Sequence, residues 1–160
     1  MSEWPVLVEN SEPVVRGICT PYHVSTAGKL KPQAFDPRPG TDTVSVIRIK
    51  MIGADACKAH AQTLSRPDQN KYYQGLALIR TSSVRKCGAD VIDSRLVFYG
   101  HADIKHGYIA EALEPPPPEI VETWKKRSKT LAAAARFFKD PDAAGAGWEG
   151  DALVLVDCDS

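Results

Sequence analysis

The sequence predicts an α+β fold: a single compact domain with a mixed or antiparallel sheet of about five or six strands. One long C-terminal helix and one or two short helices are expected to pack it. Three observations lead there. Short β-branched runs recur through the first two-thirds of the chain. One stretch, 119–138, carries a clean helical apolar period. Strands and helices follow one another without the βαβ rhythm of a doubly wound sheet. The domain is expected over 13–139, after an N-terminal leader at 1–12 and before an acidic, glycine-rich tail at 140–160.

PVVRGIC, residues 13–19, is short and β-branched and reads as the first strand. Residues 22–40 hold two glycines and three prolines and read as loop. TVSVIRIK, 43–50, is a second strand, and ADACKAHAQTLS a short helix, with Cys57, Ala61 and Leu64 on one stripe and Arg66-Pro67 at its end. YYQGLALIR, 72–80, is apolar on both faces, as a central strand must be. SSVRKCG reads as one or two helical turns stopped at Gly88. ADVIDSRLVFYG and HADIKHGYIA supply two or three further strands.

The run PPPP at 115–118 can deliver a proline to a first helical turn. From Glu119 to Phe138, Ile120, Trp124, Leu131, Ala135 and Phe138 share one stripe, opposite Lys125, Lys126, Lys129 and Arg136. Asp140-Pro141 is expected to end the helix. In the tail, ALVLVD reads as a final strand after a flexible glycine-rich link.

The 160 residues are 43% hydrophobic and 25% charged, with twenty basic and twenty acidic side chains. Such a balance gives no global pull toward nucleic acid or an anionic membrane. No signal-peptide pattern opens the chain, and no apolar run approaches the ~18 residues of a membrane span. Cys19, Cys57, Cys87 and Cys158 form no CxxC pair and read as reduced thiols. A cytoplasmic location is expected. Dinucleotide, Walker, zinc-protease and nucleophile-elbow motifs are missing.

His101 and His106 stand five residues apart, on opposite faces of a strand and ~140° apart on a helix, so neither element lets them share a metal. No metal site is assigned. His106 lies on the side of Ile104 and reads as a half-buried, hydrogen-bonding histidine. Arg16 lies on the face of Val14 and Ile18, where a guanidinium needs compensation. It is expected either to pair with a carboxylate such as Asp90 or Asp93, or to hold an anion or phosphate. With His23 and Ser45 it forms the ligand-binding candidate set Arg16, His23, Ser45 and His106, provided that these converge. Lys125, Lys126, Lys129 and Arg136 are the partner-binding candidates. They form a basic helix face without interleaved aromatics, so nucleic acid is not expected there.

Arg16–His23 reads R-x-I-x3-Y-H, Gly28–Pro37 reads G-x-L-x3-A-F-x-P, and Ser45-Val46 follows. In that order these resemble a group of small uncharacterised bacterial proteins over roughly 13–138, with His106-Gly107 departing from the group's His-Ala. The resemblance implies a bacterial source and a defence or toxin-linked setting, but no chemistry. A looser likeness to ADP-ribosyltransferase-like folds would place Arg16, His23 and Ser45 against a nicotinamide ribose, with no matching late catalytic glutamate at Glu111 or Glu114. Two functions are therefore carried forward. The first is a binding or regulatory subunit with a protein partner and no cofactor. The second is an enzyme or sensor that takes NAD, another nucleotide or a phosphorylated ligand.

Overall fold

A computed structural model describes residues 7–107 and 116–154. The expectations for 1–6, for Tyr108–Glu114 and Pro115, and for the end of ALVLVD lie outside the described residues. The described chain forms β1 (Pro13–Thr20), β2 (Thr43–Ile47), α1 (Ile49–Gln62), β3 (Tyr72–Arg80), α2 (Thr81–Lys86), β4 (Asp90–Asp93), β5 (His101–Lys105), α3 (Pro118–Ala134) and β6 (Arg136–Lys139). Short 3-10 turns stand at Pro32–Phe35 and Pro67–Gln69. The six strands make one sheet in the order β4-β5-β2-β1-β3-β6, every neighbouring pair antiparallel. This is the α+β architecture that the sequence predicts.

Strand parity sorts the core into two layers. Val14, Ile18, Val44, Val46, Ala77, Ile79, Ala102 and Ile104 face one side, where Leu131 of α3 and Phe35 of the first 3-10 turn cover them. Val15, Ile47, Leu76 and Leu78 face the other, where Cys57 and Ala61 of α1 cover them together with Tyr73 and Phe138. The two layers are called the α3 face and the α1 face below. Helix α1 approaches β1 closely because residue 17 is glycine. A Cβ there would sit 2.7 Å from Leu64 Cδ1 and 2.9 Å from Ala61 Cβ.

Several expected boundaries move. Residues 49 and 50, read as the end of β2, already belong to α1, whose first turn is set off by Gly53 at φ 85°. The C-terminal helix ends at Ala134, not Phe138. Arg136–Lys139 leave it and pair with Gly75–Leu78 as β6, so Phe138 lies on a strand of the α1 face. Of LVFY, read as strand, Leu96–Tyr99 lie in a turn between β4 and β5.

Packing also runs past both ends of 13–139. Val8 and Glu12 are buried. Beyond β6 the chain returns over α1, where Ala143, Trp148 and Leu153 pack on the α1-face core. Ala152–Val154 carry no strand. A wholly buried lysine ties this return down: Lys58 Nζ lies 3.0 Å from Asp140 and donates to the carbonyls of Asp142 and Gly147, both at 2.7 Å. Tyr73 Oη donates to Asp140 at 2.6 Å. Gln62 Nε2 donates to the carbonyls of Ala143 and Gly145.

Candidate functional site

The seam between β1 and β2 is where the sheet's ladder is most interrupted among the described residues. β1 pairs with β3 along its whole length, but with β2 only at Val15–Ile47. Arg16 fills the interruption. Its Nε donates to the Ala34 carbonyl at 3.0 Å, and its Nη1 to the Ser45 carbonyl at 3.2 Å. The guanidinium thus satisfies the Ser45 carbonyl, which a continued ladder would have reached through a backbone N–H, and ties the 3-10 turn to the seam through Ala34. The expected carboxylate partner is overturned. Asp90 is held by Arg85, and Asp93 by Arg48 and Arg95. Among the described residues no carboxylate pairs with Arg16. Burial, with Arg38 adding like charge, lowers its pKa to about 10.

A cleft of about 200 Å³ opens beside this seam on the α1 face. Its floor is Gly17, Ser45, Val46 and Ile47, with Arg16 at the seam; α1 and its cap supply His60, Ala61, Thr63 and Leu64; the β4–β5 turn supplies Val97 and Phe98, and β5 His101. The His60 and Phe98 rings stack at 3.7 Å and 9°, and His101 meets Phe98 edge-on at 4.9 Å. Ser94 Oγ lies 2.6 Å from His101 Nδ1 and fixes the ring. Burial lowers the His101 pKa, against an upward pull from Asp103. The walls are mostly apolar, and no lining residue is acidic.

Of the four ligand-binding candidates, Arg16 and Ser45 line this cleft and His23 and His106 do not. His23 Nδ1 accepts from the Cys19 N–H at 3.0 Å, at the bulge that closes β1. An acceptor nitrogen must be unprotonated, and burial, then Arg16 and Lys71, lowers the His23 pKa to about 3. His106 faces α3. Its Nε2 lies 3.0 Å from the Phe35 carbonyl, which can only accept, so Nε2 carries the proton. Ser128 Oγ donates to the same carbonyl, and Trp124 meets the ring edge-on. Arg16 and His106 do converge, but on consecutive carbonyls of the 3-10 turn, Ala34 and Phe35. They cap a turn whose last acceptors have no partner of their own.

Comparison leaves the geometry to speak for itself. No family model, no curated protein and no solved structure matches the chain. The side chains narrow the chemistry instead. No group of three His, Cys, Asp or Glu is gathered for a metal among the described residues. Burial pushes the Cys57 thiol up to about 12 and raises Cys19 as well, so neither supplies a thiolate near neutrality. No described helix is long and apolar enough to cross a membrane.

The partner candidates Lys125, Lys126, Lys129 and Arg136 are exposed. Lys129 and Arg136 share an open groove with Lys29, and Arg136 lies over the Phe138 ring at 4.7 Å. A larger departure from an ordinary surface lies at the β4 edge. Leu96 is 100% exposed, Val97 65%, Ile92 44% and Tyr99 41%. The cleft residues His60, Phe98 and His101 were not among the sequence candidates. Two signals mark them: His60 flanks the Cys57/Ala61 stripe, and parity sets His101 opposite Ala102 and Ile104.

Proposed function

We propose that this protein is a binding module that docks a protein partner through the apolar turn between β4 and β5. The observation that carries this reading is the cluster of Ile92, Leu96, Val97 and Tyr99, exposed together at a sheet edge. Isolated exposed apolar side chains are ordinary. A group of them in one turn and the strand that leads into it marks an interaction surface. β4 is an edge strand, with its Val91 N–H already bonded to Asp90, so the apolar turn and not the strand's backbone is the docking surface.

The nucleotide reading draws support from Arg16 and Ser45 lining one cleft. Against it stand His23, committed to the Cys19 N–H, and a cleft volume below the ~300 Å³ at which drug-sized ligand sites begin. The bacterial setting and defence link stay with the sequence resemblance.

The test is a double substitution, Leu96→Asp with Val97→Asp, at side chains whose exposure spares the fold. The wild-type chain is expected to be monomeric when purified and to retain a stoichiometric partner in native isolation. The variant should keep its melting temperature and lose that partner. Retention of the partner by the variant, or self-association of the wild type through this turn, would overturn the reading.

A further inference from the structure

We infer that the cleft at the β1–β2 seam binds a small organic monocarboxylate bearing one ring or one branched apolar group. Size sets the first limit. A dry apolar cavity of ~150 Å³ accepts benzene, so about 200 Å³ holds one ring and a short charged arm, and excludes a dinucleotide. The lining sets the second. Ile47, Ala61, Leu64, Val97 and Phe98 offer apolar contact, and the His60–Phe98 stack presents flat aromatic surface.

Charge sets the third. Arg16 keeps a full positive charge beside the cleft with only two carbonyls for compensation, and Nη2 has no partner among the described residues. Carbonyl dipoles solvate a cation but do not neutralise it. A ligand carboxylate would supply the missing counter-charge at a part-buried guanidinium, where such a pair is stronger than in open water. Arg38 adds positive field at both Arg16 and His101. Asp103, the carboxylate that pulls on His101, does not line the cleft. One seam guanidinium in an apolar frame fits a monoanion better than a phosphate dianion. This inference stands apart from partner docking, although Val97 belongs to both surfaces.

The test is a titration of the full chain followed by amide chemical shifts, with phenylacetate and 3-methylbutanoate as probes. Phenylacetamide is the neutral isostere, and inorganic phosphate the apolar-free anion. The carboxylates are expected to shift Gly17, Ser45, Phe98 and His101 saturably, with the amide at least tenfold weaker. Arg16→Gln should remove that tenfold preference. Because Arg16 also supports the seam, Thr63→Trp at the exposed rim is the second variant, and it should block both probes without loss of the fold. Equal binding of acid and amide, phosphate shifting the same amides as strongly, or no saturable shift at millimolar probe would each overturn the inference.

Discussion

Two guanidiniums are built into this sheet in opposite ways. Arg48, just after β2, is 2% exposed and clamped by Glu12 through two contacts of 2.7 Å. It also meets Asp93 at 2.9 Å, and Asp93 takes a further bond from Arg95 at 2.8 Å. The hydrogen bonds to Glu12, joined by Asp93, raise the Arg48 pKa against burial. Arg16, on the next strand of the sheet, meets only carbonyls among the described residues, and its pKa falls with burial. Both side chains satisfy buried polar groups, but only Arg48 is neutralised. The difference separates a structural knot from a place where charge remains for a ligand to answer.

The largest expected effect breaks the knot. Arg48→Met takes the cation from the buried Glu12 carboxylate and leaves Asp93 with Arg95 alone, and it should lose about 3–5 kcal/mol in urea unfolding. A loss below about 1 kcal/mol would mean the knot is wetter than its geometry shows. Acid comes next. His23 titrates at about 3 when folded against 6.5 in the reference state. Its contribution is therefore complete above pH 6.5 and is lost as pH falls toward 3, by up to about 1.4 kcal/mol per pH unit. Asp93, depressed below 3.8 because bonds from Arg95 and Arg48 outweigh burial, weakens the knot only at lower pH. His23→Asn keeps an acceptor for the Cys19 N–H and does not titrate. The slope of stability between pH 6.5 and 4 should flatten in that variant, and an unchanged slope would assign it to other groups.

Arg16→Met should cost less, about 1–2 kcal/mol. It strands two carbonyls, yet it also relieves a charge that no carboxylate among the described residues neutralises. A loss equal to that of Arg48→Met would erase the distinction between the two sites. Leu96→Ser, on a fully exposed side chain, should change stability by less than about 0.5 kcal/mol.

The central strand was legible because burial on both faces leaves its own mark: YYQGLALIR is β3 end to end. The reading of α1 began at Ala54, the residue after the Gly53 break, since the turn before it is β-branched and resembles the strand it follows. The end of α3 was hidden for the opposite reason. Alanines 132–135 do nothing to stop a helix, and what ends it is pairing with β3, a tertiary event. The site was less legible still. Parity placed His101 and His106 on opposite faces, but Arg16 binds carbonyls, and a carbonyl has no letter in the sequence. His60 and Phe98 become neighbours only once α1 crosses the sheet.

The buried ammonium of Lys58 has a consequence for how the molecule opens. Its counter-charge and both carbonyl acceptors come from 140–147, some 84 residues away along the chain. Helix α1 docked without that segment would hold a bare cation in its core, and the segment without α1 would leave Asp140 equally stranded. Neither half is a stable resting point alone. Amide exchange should find α1 and residues 140–148 protected to the same degree, opening as one cooperative unit and not as a core with a fraying end.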